Sequence, residues 1–253
     1  MLTAPPTAHA PLSRPRPGSH SWYEGPVSDL ISIAAPSGTM LLHRFSVTPR
    51  HLHAWLALWP SFAGSWSQAG FALHRLFVET DAEPKVTLLA SHPDSAATAL
   101  AAVPAVSDEA VPHVFRNVLT RPVRVEVLTH ATPTSIEGRI AIMRRYSIVG
   151  GWPAFLAIWR RVVAVREAYG FRCLFAVSDE PADLFSWAFD FAGTWEDFPR
   201  AQHAYYRDPE RIALRGVFDH MADYSIHPAR QFVLGRPDDA PARDASPTRQ
   251  GRH

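Results

Sequence analysis

Only one cysteine and one lysine, Cys173 and Lys85, occur in the 253 residues. A lone cysteine excludes an internal disulfide and fits a reducing, cytoplasmic setting. Cys173 sits in an apolar run and reads as a packed, inert thiol. With lysine almost absent, the basic residues are arginines scattered along a chain of net charge +1. No basic stripe is present, so a nucleic-acid partner is not expected. No run is long and apolar enough to span a membrane. The pattern Gly-x-Gly-x-x-Gly, the P-loop, Gly-x-Ser-x-Gly and Cys-x-x-Cys are all missing, which removes a Rossmann cofactor site and a hydrolase nucleophile elbow. Residues 1–18 are Pro-rich without an apolar h-region, which does not fit a secretory signal. Residues 1–38 read as a loosely held arm and 235–253 as a disordered tail.

What the chain does have is a core and a repeat. At 47% hydrophobic and 19% charged it can fill one large domain or two small ones. Ala54-Trp55-Leu56-Ala57-Leu58-Trp59 is echoed by Ala154-Phe155-Leu156-Ala157-Ile158-Trp159, at a spacing of about 100 residues. Ala69-Gly70-Phe71 is echoed by Tyr169-Gly170-Phe171. Arg44-Phe45-Ser46-Val47 matches Arg145-Tyr146-Ser147-Ile148 with one residue of slippage.

The local signals follow the same order twice. Residues 40–47 read as a strand, and Thr48-Pro49 caps a helix that runs to Gln68 and stops at Gly70. That helix carries Trp55, Trp59, Phe62 and Trp66 on one face, with Pro60 expected to kink it. Strands are expected over 71–78, 85–91 and 123–128, with a Pro-broken helix between 95 and 119. Residues 130–138 form a linker. The pattern restarts with a strand over 139–148, a helix over 152–169, a hairpin of 171–177 with 184–191, a helix opened by Thr194 and Asp197, and a last strand over 225–234. Each half, 39–129 and 139–234, is thus β-α-β-β-α-β, the ferredoxin-like order. The fold class is α+β. Each half leaves one sheet face uncovered, so the two faces are expected to pack together as an intrachain pseudo-dimeric α/β barrel.

The chain's 8 Trp and 14 Phe can line an apolar slot for a flat ligand or simply pack the core. Trp55, Trp59 and Trp66 share a helix face, and Trp187 lies on one face of a strand. Trp59 and Trp159 are matched between repeats, which favours scaffold. Arg44 and its match Arg145 could hold an anion or form an ion pair between the halves. His74 could be a general base for a phenol or a hydrogen-bonded core histidine. His203 and Tyr206 lie three apart on a helix, beside Tyr205, and could form a pair at a pocket. His51 and His53 point to different sides of their helix, and no metal site is expected.

The β-α-β-β-α-β order, Trp159 and the run Ala204-Tyr205-Tyr206-Arg207-Asp208-Pro209-Glu210-Arg211-Ile212-Ala213-Leu214 resemble the dimeric α/β-barrel superfamily. The likeness is to its antibiotic biosynthesis monooxygenase and NIPSNAP branches, and the first half lacks the Tyr-Tyr-x-x-Pro-Glu-Arg run. Two fused domains behind a long arm look like the oxygenases that open the B ring of angucycline polyketides. That resemblance implies an oxygenase for an aromatic polyketide-type substrate, using dioxygen and reduced flavin (FADH2 or FMNH2) from a separate reductase. Its catalytic residues would be His74, His203, Tyr206 and Arg44. Its slot would be formed by Trp55, Trp59, Trp66, Trp159, Trp187 and Tyr205. A homodimer is compatible with it. The alternatives are a cofactor-independent anthrone-type monooxygenase, a non-catalytic NIPSNAP-like scaffold or ligand-binding protein, and a heme-binding barrel.

Overall fold

The order of elements repeats as the sequence pattern does. The computed structural model describes residues 37–105, 115–129, 139–232 and 234. In the first half, β1 (Thr39–Val47) leads through a 3-10 turn (Pro49–His51) into α1 (Leu52–Gln68). Then come β2 (Ala72–Glu79), β3 (Lys85–His92), α2 (Ala96–Ala102) and β4 (Phe115–Pro122). A short strand β5 (Arg124–Leu128) follows. The second half has β6 (Arg139–Ile148), α3 (Trp152–Glu167), β7 (Phe171–Asp179), β8 (Leu184–Ala192), α4 (Phe198–Tyr206), α5 (Pro209–Ala213) and β9 (Met221–Phe232). Both long helices end the same way. Gly70 and Gly170 take φ of 89° and 81°, a left-handed turn that a side chain would strain.

The strands form one antiparallel sheet in the order β4-β1-β3-β2-β9-β6-β8-β7-β5. Each half contributes the ferredoxin-like order, with its last strand beside its first and its third beside its second. The two halves are stitched by β2 against β9, where Leu76 faces Phe232 and Glu79 faces Ala229. The outermost strands, β4 and β5, are consecutive in the chain and separated only by Val123. β4 pairs with β1, and β5 pairs with β7.

Two expectations are corrected here. The helix of 95–119 is only Ala96–Ala102, capped by Ser95, whose hydroxyl accepts from the Thr98 amide. Residues 115–122 are a strand, because β1 offers them a free edge and the Ala-rich helical pattern ends before Pro104. The expected strand at 123–128 is therefore the continuation, β5, rather than the fourth strand itself. The readings of 1–36, of the linker 130–138 and of the tail 235–253 lie outside the described residues.

Strand alternation sends each side chain to one of two layers. On the helix side of the first half, Phe45, Trp55, Trp66, Phe71, Leu76 and Leu88 form a closed core. On the other side, Met40, Leu42, Phe77, Leu89, Met143, Phe175 and Ala188 form one cluster drawn from both halves. Burying each Leu or Phe of this cluster contributes about 1.5–3 kcal/mol. Within this layer Glu79, fully buried, receives both terminal nitrogens of Arg145, with the Nη2–Oε2 contact at 2.9 Å. Arg44 approaches the same carboxylate at 3.9 Å. Of the two readings for this arginine pair, the ion pair between the halves is what forms. No helix among the described residues is long and apolar enough to cross a membrane.

Candidate functional site

A cleft opens between the sheet and the helices of the second half. It is lined by Arg144 and Tyr146 of β6, Trp159 and Val162 of α3, Tyr205 and Tyr206 of α4, Arg211 of α5, and Val217, Phe218, Met221 and Tyr224 beyond. The Tyr-Tyr-x-x-Pro-Glu-Arg run builds one wall. Asp208 caps α5, its carboxylate accepting from the Glu210 amide at 2.8 Å and the Arg211 amide at 3.3 Å. Pro209 occupies the first helical position, where its missing N–H costs nothing. The Tyr169 hydroxyl donates to the same carboxylate at 2.8 Å. This cap holds α5 in register so that Arg211, only 5% exposed, turns inward. At the head of α4, Thr194 and Asp197 are joined through Asp197 Oδ2, which accepts from the Thr194 amide and hydroxyl.

Three guanidiniums gather here among aromatic rings. Arg144 lies 5.9 Å from the Tyr146 and Trp187 ring centroids. Arg166, behind Tyr205, lies 4.2 Å from that ring and 4.5 Å from Phe189. Arg211 faces Tyr205 and Tyr206 at 5.5 Å and Phe218 at 5.2 Å. None of the three is ion-paired with a carboxylate among the described residues. The Nε of each is buried without a hydrogen-bond partner, as is the Tyr205 hydroxyl. Burial of a cation without a carboxylate costs free energy, and at Arg144 the neighbouring phenols offset that cost and raise its pKa.

The phenols respond to these guanidiniums. Burial opposes ionisation of Tyr206, but Arg144, Arg166 and Arg211 outweigh it and hold its pKa below the usual phenol value. Tyr205 goes the other way: burial pushes it up, against Arg166 and Arg211. The pKa values of two adjacent phenols are thus shifted in opposite directions. The free volume of the cleft is about 20 Å³, room for about one water. Tyr206, Phe218 and Tyr224 at its mouth are exposed, and their rotation is what would admit a larger ligand.

Of the residues expected from the sequence, Trp159, Tyr205 and Tyr206 line this cleft, and Trp187 lies beneath it against Arg144 and Arg166. His203 is exposed on α4 and does not line it. Trp55, Trp59 and Trp66 pack with Phe45 and Phe62 in the first half. His74, on β2, has Nε2 2.8 Å from Ser91 Oγ, and burial followed by Arg75 lowers its pKa. Arg44 is turned to the shared layer beside Glu79. Glu79, Asp81 and His227 bring ligand-type atoms within 4.8 Å of one another, with Glu79 paired to Arg145 and His227 in contact with Asp81. Cys173 is buried, and burial raises its thiol well above the usual range.

Arg144 and Arg166 were not among the residues singled out from sequence, and Arg211 stood there only as the end of the Tyr-Tyr-x-x-Pro-Glu-Arg run, with no role in a site. One signal was available: Arg166 falls on the apolar face of α3 where the repeat puts Trp66 on α1, and Arg144 alternates with Ile142 and Tyr146.

No protein-family profile matches the sequence. No curated protein matches it either. Solved structures share the fold. A protein from Fusobacterium nucleatum, provisionally named a monooxygenase, superposes with a TM-score of 0.56 at 9% identity, over 78% of this chain and 93% of that one. An anthrone oxidase-like protein gives a TM-score of 0.51 at 10% identity, over 79% and 94%. A second protein provisionally named a monooxygenase, from Lactobacillus acidophilus, gives 0.50 at 11% identity, over 76% and 94%. At these identities the likeness is one of fold.

Proposed function

We propose that the chain is an oxygenase that acts with dioxygen on an aromatic, polyketide-type phenol seated in the cleft of the second half. In this reading the repeats 39–129 and 139–234 are a tandem ferredoxin-like pair whose sheet closes on itself as an intrachain α/β barrel. Support for the closure comes from β4 and β5, which take opposite ends of the strand order while only Val123 separates them. The observation that carries the functional reading is the meeting of Arg144, Arg211 and Tyr206 in one aromatic-lined cleft.

The chemistry follows from those groups. An electron-rich phenol reduces dioxygen readily only as its anion. Tyr206, its pKa lowered by the arginines, accepts the proton, and Arg144 and Arg211 hold the oxyanion that results. An anthrone-type methylene then becomes a carbonyl. One oxygen atom enters the product, the other leaves as water, and the substrate supplies all the electrons. Tyr205, kept protonated, donates to the second oxygen of a quinone-like product.

A flavin would need partners for the polar edge of its ring. The guanidiniums and phenols of the lining could donate to the carbonyls of that edge, and a reduced flavin bound there would supply electrons for oxygen activation. The test is oxygen uptake with an anthrone-like phenol, with and without reduced flavin. Uptake without flavin supports the cofactor-independent route. Uptake only with reduced flavin returns the assignment to a reductase-dependent oxygenase. No uptake in either arm overturns the oxygenase reading.

A further inference from the structure

The two halves share a framework but not its filling. In the first half, the position on β1 that faces the helices is His43, and the α1 residue above it is Trp66, their rings 5.0 Å apart in a closed aromatic core. The repeat places Arg144 and Arg166 at the matching points of the second half. Trp66 lies 4.7 Å from Phe71, and Arg166 lies 4.9 Å from the matching Phe171. Residues 96–115, between the start of α2 and the start of β4, contain no arginine that could stand for Arg211. The second half thus carries Arg144 and Arg166 at points that the first half fills with His43 and Trp66, and adds Arg211.

Those cations have no carboxylate partner among the described residues and are held by aromatic rings and by the phenols of Tyr205 and Tyr206. Arg144, Arg166 and Arg211 are 6%, 2% and 5% exposed. Other arginines show what structural pairing looks like in this chain. Arg145 grips Glu79, Arg139 and Arg172 share Asp190, and Arg160 reaches Glu126. A single phenolate neutralises one charge and offers one oxygen. Two guanidinium forks at one cleft suit a planar group with two oxygens, and the rings around them suit a flat apolar body attached to it.

We infer that the cleft of the second half is a receptor for an aromatic carboxylate, with Arg144 and Arg211 as its direct ligands and Arg166 supplying charge from behind Tyr205. The inference rests on the reading of this cleft as the substrate's seat and narrows the substrate to an aromatic acid. Trp159 and Trp187 stand close enough to report occupancy by fluorescence. The low phenol pKa of Tyr206 is consistent with the same cations.

The test is an anaerobic titration of the full chain with 3-hydroxy-2-naphthoate, its carboxamide, 2-naphthol and inorganic phosphate. The acid is expected to bind about tenfold or more tightly than the amide, the difference one charge-assisted pair makes. Arg211→Lys, which keeps the charge and loses the fork, is expected to remove most of that preference by weakening the acid far more than the amide. A second readout guards against misfolding. Arg166→Met is expected to melt no lower than the wild type and to lose the thermal protection given by the acid. Equal binding of acid and amide, or an Arg211→Lys variant with full preference for the acid, overturns the inference. Displacement by phosphate as effective as by the acid overturns the aromatic part of it. Acid binding with no oxygen uptake under air leaves the receptor standing and sinks the oxygenase reading. Turnover of 2-naphthol-type phenols with no preference for the acid does the reverse.

Discussion

Trp66 and Arg166 occupy the same point of the two repeats, one closing an aromatic core and the other charging a cleft. The same helix, ended by the same kind of glycine turn, was filled in one half and kept polar in the other. Trp66 is fully buried among His43, Phe62 and Phe71. Trp66→Ala is expected to cost about 3–5 kcal/mol of stability, measured by denaturant unfolding, because its cavity cannot collapse in a dense ring cluster. Ligand binding in the second half should survive in the fraction that stays folded.

Glu79 and Arg145 join the halves where β2 meets β9. Removing the carboxylate would leave Arg145, half-buried beside Arg44, without its ion-pair partner. Glu79→Gln is expected to destabilise by about 3–5 kcal/mol. The double variant Glu79→Gln, Arg145→Met should recover part of that loss. Equal unfolding midpoints for wild type and Glu79→Gln would show that the pair carries no net weight.

His43 gives the pH dependence a sign. Burial lowers its pKa from 6.5 to about 4, so the folded chain refuses a proton that the unfolded chain accepts. Its share of stability is whole above pH 6.5 and falls as the pH drops toward 4, by on the order of 3 kcal/mol in all. Unfolding curves across that range should show the decline. His43→Asn should make it shallower, at the cost of the contact between His43 Nδ1 and Thr120 Oγ1 at 2.7 Å.

Much of this architecture can be read from the sequence because the repeat is carried by large residues at matched points. Trp59 with Trp159, and Phe71 with Phe171, set the register of both halves. Strand β4 was not legible, since Phe115-Arg116-Asn117-Val118 lacks strong alternation and becomes a strand through the edge that β1 offers. In the site, Tyr205, Tyr206 and Trp159 stood out as aromatic. Arg144 and Arg166 did not, because an arginine in a sequence reads as surface until its neighbours in space are known. Arg144 is buried only because α3 and α4 roof the strand it stands on.

Tyr206 should titrate apart from the other phenols. A spectrophotometric pH titration of the native chain is expected to show tyrosinate appearing below the ordinary phenol range, and Tyr206→Phe should remove that component. If Tyr206 takes the substrate proton, the same variant should lower turnover by about 10²-fold or more. Its rate should also lose the rise with pH that ionisation of Tyr206 gives.

The most direct check is oxygen uptake by wild type, Arg144→Gln and Trp55→Phe with the same anthrone-like phenol. The account predicts uptake by wild type, a loss of about 10²-fold or more for Arg144→Gln in the second half, and near wild-type rates for Trp55→Phe in the first. Full activity in Arg144→Gln, or a loss confined to Trp55→Phe, would contradict it.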